Sequence, residues 1–203
     1  AAAIARLGVP ELTPLAHRRD MPMTNVGELA RAGVVTVLQG PIKMKVEGGG
    51  RPVLTAKDLL LDREPSGRTR DEDGLVVIEP GDVVAPIIAR GDTVARVMRT
   101  GGAVLGPQLL LFRTDPDRLD PYFLAGCLRV TGESSVRLGS SARMDPRRAQ
   151  LPRLPIEEQR AYGAAFRRLL DFEDEIRRVR AIGEDLVRLG FEGLLDGTLE
   201  PGS

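Results

Sequence analysis

The chain predicts an α/β molecule of the α+β kind: a β-rich domain followed by one long C-terminal helix built for helix–helix pairing. Three observations predict it. From Val34 to Thr114 apolar residues come in short runs, or alternate with polar ones, between Gly, Pro and Asp breaks. From Ile156 onward the chain runs without a proline or a turn cluster for some 38 residues, against about 11–12 for an ordinary helix. Charge is also divided: residues 1–155 hold 22 Lys/Arg and 18 Asp/Glu, a net of +4, and residues 156–203 hold 7 and 11, a net of −4.

A chain of 203 residues with 42% hydrophobic content suffices for one core plus an appendage. No apolar run approaches the 18 or so residues a membrane helix needs, and the first residues lack the basic-then-apolar pattern of a signal peptide. They also lack an initiator Met, which reads as excision from a longer chain. The single Cys127 excludes an internal disulfide or Cys-rich metal site and fits the reducing cytoplasm.

Residues 1–25, with scattered charge and the lone His17, read as a linker or poorly ordered lead-in; residues 26–153 form the main domain, 154–197 the long helix and 198–203 a tail. TNVGELARAG reads as a capped helical turn, with Thr24 or Asn25 as N-cap, Glu28 in the first turn and Gly33 at the end. Strand candidates follow: VVTVLQG, IKMKV, PVLTAKDLL, LVVIE, DVVAPIIAR, TVARVMR and VLGPQLLLFRT. Alternation over Ile42–Val46 puts Lys43 and Lys45 on one face of a half-exposed strand. Residues 64–74 carry no aliphatic or aromatic side chain and read as an exposed loop. PYFLAGCLR reads as a short helix capped by Asp120, with Pro121 at its first position; residues 131–146 read as a polar loop carrying Arg137 and Arg143. In the long helix Tyr162, Phe166, Leu169, Phe172, Ile176, Val179, Ile182, Leu186 and Leu189 recur about every 3.4 residues, near the 3.5 of a heptad seam.

Motifs for catalysis are missing. A Ser–His–Asp or Cys–His arrangement would require His17, in the lead-in. GGGRP at Gly48–Pro52 lacks the GK[ST] of a phosphate loop, and the acidic run Asp71–Asp73 reads as solvated loop.

The family resemblance rests on particular residues. Leu151, Leu154, Pro155, Glu158 and Gln159 match a pattern of the form LxxLxIPLPPxxEQ ahead of a long helix. VVIEPGDVVAPIIARG resembles a strand pair turning at Gly-Asp, here Gly81-Asp82; AVLGPQLLLFRTDPDRLDPYFLAGCLR and VRLGSSARMDPRRAQLPRLPI match further segments in order. Over roughly Val34–Gly197 the chain is similar to the target-recognition domains of type I restriction–modification specificity subunits and to the C-terminal specificity domains of N-6 adenine DNA methylases. The resemblance implies a strongly twisted, mixed β-sheet and a long helix that pairs with a second one. The family's double proline is reduced here to LPI. One domain and one helix stand where full subunits have two of each, which implies a half-subunit or a methylase fragment. With no [ND]PP[YF] motif, the chain is expected to be non-catalytic, and S-adenosylmethionine would bind a separate methylase domain or subunit.

The resemblance implies sequence-specific reading of duplex DNA. The residues that would contact it are Arg137, Arg143, Arg147 and Arg148 in the basic stretch 129–153, with the hydroxyls of Ser140 and Ser141 as donors to phosphate, together with Arg68 and Arg70, then Arg51, Lys43 and Lys45. The partner helix would pack on Phe166, Leu169, Phe172, Ile176, Val179, Ile182, Leu186 and Leu189. Implied partners are a methyltransferase domain or subunit, a restriction subunit, or a second copy joined through the helix. The competing reading is a β-rich scaffold that assembles through its helix without binding DNA, which the zero net charge favours.

Overall fold

A computed structural model describes residues 9–17, 19–46, 48–70, 73–87, 95–137 and 146–201. Packing divides the chain into two compact units: Leu15–Arg167, which holds every strand described below, and a smaller one of Ala1–Pro14 with Arg168–Ser203.

In the larger unit, β1 (Met23–Asn25) leads directly into α1 (Val26–Arg31). Asn25 is the N-cap, its side chain accepting from the Glu28 amide at 2.9 Å, while Glu28 reaches back to accept from the Thr24 hydroxyl at 2.6 Å. Gly33, with φ of 66°, ends the turn as expected. Then come β2 (Val35–Gln39), β3 (Arg51–Leu54), α2 (Ala56–Leu61), β4 (Gly67–Thr69), β5 (Val83–Pro86), β6 (Arg96–Val97), β7 (Val104–Leu105) and β8 (Leu109–Thr114). After α3 (Pro121–Arg137) and a one-turn 3₁₀ helix (Pro146–Arg148) follow β9 (Gln150–Pro152) and α4 (Ile156–Asp196).

Among the described residues strand pairing is shared among three sheets. β2-β8-β5-β6 is antiparallel throughout, β4-β3-β7 contains the parallel pair β3–β7, and β1 pairs antiparallel with β9. β5 and β8 read as unbroken apolar runs because both of their faces are buried. Val83, Ala85, Leu110 and Phe112 enter one core, with α1, α3 and β9. Their alternate neighbours Val84, Leu109 and Leu111 enter a second core, with Leu54, Leu59, Ile78 and Leu105. A one-residue slip would exchange the two sets.

Several expectations are corrected. IKMKV is not a strand: Pro41 removes an amide donor, and Lys43 and Lys45 sit exposed on irregular chain. PVLTAKDLL is a strand only to Leu54, because Thr55 and Asp58 form a capping box that starts α2. Of LVVIE only Val77 bridges, to Val104, and the polar stretch 64–74 contains β4. Lastly, the helix after Asp120 runs to Arg137 and takes up the first part of the expected 131–146 loop. Thr131 is held within it by donating its hydroxyl to the Cys127 carbonyl one turn back, at 3.0 Å.

The long helix is one uninterrupted element of 41 residues. Its opening turns dock on α3 through glycines: a Cβ on Gly163 would fall 2.1 Å from Asp120 Oδ1, and one on Gly126 would fall 2.3 Å from the Phe166 ring. Phe123 thereby meets Tyr162 edge-on at 6.3 Å and Phe166 at 6.5 Å. Phe166, expected on a partner seam, instead packs on the core of its own domain. The helix stops at Gly197, whose φ is 77°.

Candidate nucleic-acid interface

The three glycines 48–50 lead into β3, and β3 pairs with β4 with Arg51 opposite Thr69 and Pro52 opposite Arg68. The approach is tight: a Cβ on Gly50, at φ of 86°, would fall 2.0 Å from the Thr69 carbonyl oxygen. One on Gly67 would fall 2.8 Å from Val46 Cγ1, so the segment carrying Lys43 and Lys45 crosses β4 through Val46. Arg51, Arg68, Arg70, Lys43 and Lys45, all exposed, are thus gathered around one strand pair.

Asp58 anchors this pair, and sequence reading missed it. The carboxylate is fully buried. It accepts from the Thr55 amide at 3.0 Å and hydroxyl at 2.7 Å, the Ser66 amide at 3.1 Å and hydroxyl at 2.7 Å, and Arg63 Nε at 2.5 Å. Burial pushes its pKa up, but the bonds from Thr55 and Ser66 outweigh it and hold the group well below the usual carboxylate range. The start of α2 is thereby tied to the chain entering β4. The Thr-x-x-Asp spacing, a capping signature, was the available signal.

Electrostatics single out some of these cations. Among the described residues, Lys43, Arg51, Arg68 and Arg70 form neither a side-chain hydrogen bond nor an ion pair, whereas Lys45 engages a neighbour. On α4 the arginines are mostly consumed within the helix: Arg160 pairs with Glu157, Arg177 with Glu173 and Asp174, Arg178 with Glu175, Arg180 with Glu184, and Arg188 with Asp185 and Glu192. Arg167 lies over the Tyr122 ring at 5.3 Å.

The remaining expected contacts are built on other elements. Arg147 and Arg148 sit exposed in the 3₁₀ turn beside α1, where the Val26 amide donates to the Ala149 carbonyl at 3.0 Å, and both engage neighbours. Arg137 is the last residue of α3; Ser140, Ser141 and Arg143 lie outside the described residues.

The motif residues behind the family resemblance turn out to be structural. Glu79–Asp82 is a turn with Pro80 second and Gly81 third, φ 92°, and the Asp82 amide donates to the Glu79 carbonyl at 3.1 Å. Gln159 is buried, with Nε2 donating to the Leu154 carbonyl at 2.9 Å and Oε1 accepting from the Asp120 amide at 3.2 Å. Beside it a cleft of about 410 Å³ opens between α1 and the 151–154 segment. Its polar rim is internally satisfied: Glu28 is held by Thr24 and by Arg153 at 3.1 Å, which keeps its pKa low. Cys127 is buried and its thiol pushed up to about 12, which leaves it unreactive at neutral pH. Among the described residues no group of His, Cys, Asp and Glu is arranged to hold a metal ion, and no helix is long and apolar enough to cross a membrane.

No protein-family model matches the chain, and no curated protein is similar to it in sequence. Solved structures do match. A chain from a structure on complex assembly and conformational transition of the type I R-M system is 21% identical, with a TM-score of 0.58 over 96% of this chain and 49% of that one. The HsdS subunit from Thermoanaerobacter tengcongensis is 20% identical, with a TM-score of 0.55 over 96% and 49%. The type I restriction–modification S subunit from M. genitalium is 13% identical, with a TM-score of 0.53 over 99% and 49%. The chain spans about half the length of each structure it matches, and it has the fold of a type I restriction–modification S subunit over that half.

Proposed function

We propose that the chain is a DNA target-recognition module: a specificity half-subunit, or the matching C-terminal part of a methylase, serving an N-6 adenine methyltransferase of a restriction–modification system. The observation that carries this reading is a set of cations with no side-chain partner among the described residues, Lys43, Arg51, Arg68 and Arg70, around the β3–β4 pair in a protein of S-subunit fold. A cation with no internal partner is free to replace the counterions condensed on phosphate. The module itself performs no chemistry; S-adenosylmethionine and the target adenine belong to the methylase domain or subunit it serves, in the cytoplasm.

The exposed apolar row on α4 supports assembly. Leu169, Ile176, Val179, Ile182, Leu186 and Leu189 are each between 37% and 64% exposed, while Phe172 is half-buried. They form a seam at near-heptad spacing for a second long helix, from another copy of this chain or from the methylase. A scaffold that binds no DNA would use the same seam, so binding decides between the readings.

Fluorescence anisotropy of the full chain against duplex DNA, with and without the methylase, is the test. Affinity is expected to fall with salt, log K dropping by about 0.9 per log unit of salt for each phosphate neutralised. Arg51→Ala with Arg68→Ala should remove about two phosphates from that slope. Absence of binding at low salt under both conditions would leave the scaffold reading standing.

A further inference from the structure

Gly49, with φ of 110°, has a side chain rather than backbone as its closest neighbour: the guanidinium of Arg70. A Cβ on Gly49 would stand 3.1 Å from Nη2, 3.2 Å from Nε and 3.6 Å from Cζ of Arg70. Near-equal distances to two nitrogens, and a longer one to the carbon between them, put that point off the Nε–Nη2 edge and close to the guanidinium plane. Arg70 therefore rests edge-on against backbone that glycine leaves bare, with the end of its fork at Nη1 directed away from Gly49.

The orientation matters because the two kinds of DNA contact make different demands. A phosphate accepts a cation from many directions. The O6 and N7 of guanine accept a guanidinium only in one plane, through two donors at once. A seated arginine has given up part of its rotamer freedom before DNA arrives, which favours the contact that needs orientation. Building on the DNA-recognition reading above, we propose that Arg70, seated by Gly49, is a sequence-determining residue that reads a guanine in the major groove, while Arg51 and Arg68 neutralise phosphate.

Selection from a pool of randomised duplexes by the full chain, followed by sequencing, tests this when run for wild type, Arg70→Lys, Arg51→Lys and Arg68→Lys. Lysine keeps the charge and loses the planar fork. Arg70→Lys is expected to lose preference for G·C at one position and to bind the best wild-type duplex about 5- to 150-fold more weakly, with an unchanged salt slope. Arg51→Lys and Arg68→Lys should select the wild-type sequence. Gly49→Ala should lose the same position as Arg70→Lys, and thermal melting shows whether it stays folded; Arg70→Lys, at an exposed site, decides the matter alone. If Arg70→Lys selects the wild-type sequence in full, the assignment of Arg70 is wrong although DNA recognition stands. A wild-type chain that binds no duplex either alone or with the methylase would already have removed the recognition reading itself.

Discussion

Arg113 on β8 grips Asp82 with two donors, Nε to Oδ1 at 2.9 Å and Nη2 to Oδ2 at 2.7 Å. The same arginine donates to the Val77 carbonyl at 3.0 Å and pairs with Glu79 at 2.8 Å, while Asp82 Oδ2 also accepts from the Glu79 amide at 2.8 Å. One ion pair thus fastens the Glu79–Asp82 turn to an inner strand of the four-stranded sheet. Asp82 is only 2% exposed, so Arg113→Ala leaves a buried carboxylate without its cation. A loss of about 1–3 kcal/mol is expected in urea unfolding, discounted because Arg113 is a third exposed. A loss within about 0.3 kcal/mol would mean that the backbone holds the turn unaided.

Gln159→Ala removes a buried side chain that joins the entry to α4, through the Leu154 carbonyl, to the Asp120 amide at the start of α3. Destabilisation of about 1–3 kcal/mol is expected. Glu158→Ala, one residue earlier and half-exposed, should cost far less, since its bond is to the exposed Arg19. Equal costs would show that the buried Gln159 has no structural role beyond that of its neighbour.

Glycines in the helices separate by position. Alanine favours a helix interior over glycine by about 1 kcal/mol. Gly183→Ala and Gly190→Ala meet nothing within 4 Å and should raise the melting temperature. Gly126→Ala and Gly163→Ala drive a methyl into Phe166 and Asp120 and should lower it, by the equivalent of about 1–3 kcal/mol. If all four substitutions stabilise, α3 and α4 do not pack as closely as described.

The buried Asp58 makes stability pH-dependent. Its folded pKa lies below the unfolded value of about 3.9. Its ionisation therefore contributes stability that is complete above the unfolded pKa and is lost as pH falls through the folded one. The difference in urea midpoint between wild type and Asp58→Asn should be flat from pH 5 to 8 and shrink below pH 4. A difference that grows on acidification would reverse the sign and show that burial dominates.

Assembly should respond to the seam alone. Ile182 and Leu186 are 54% and 64% exposed, so Ile182→Asp with Leu186→Asp is expected to abolish self-association or methylase binding in analytical ultracentrifugation while thermal melting hardly changes. Unaltered assembly would move the interface elsewhere.

Local signals carried much of this molecule. The α1 cap at Asn25, the turn at Gly81-Asp82, the paired runs of β5 and β8 and the proline-free helix are written in neighbouring residues, because each depends on hydrogen bonds and periodicities a few positions long. The errors share a cause. IKMKV alternates like a strand yet finds no partner; Gly67-Arg68-Thr69 looks like loop yet becomes β4 because β3 lies beside it. Phe166 has heptad spacing but is claimed by Phe123 across a gap that Gly126 opens. Strand identity and the inner or outer role of a helix face depend on what stands opposite, and that contact is non-local. The candidate site divides in the same way. That arginines 51, 68 and 70 were candidates was legible from charge. That they share one strand pair anchored by a buried Asp58, apart from Arg147 and Arg148 on the 3₁₀ turn, and that Gly49 seats one of them, only packing decided.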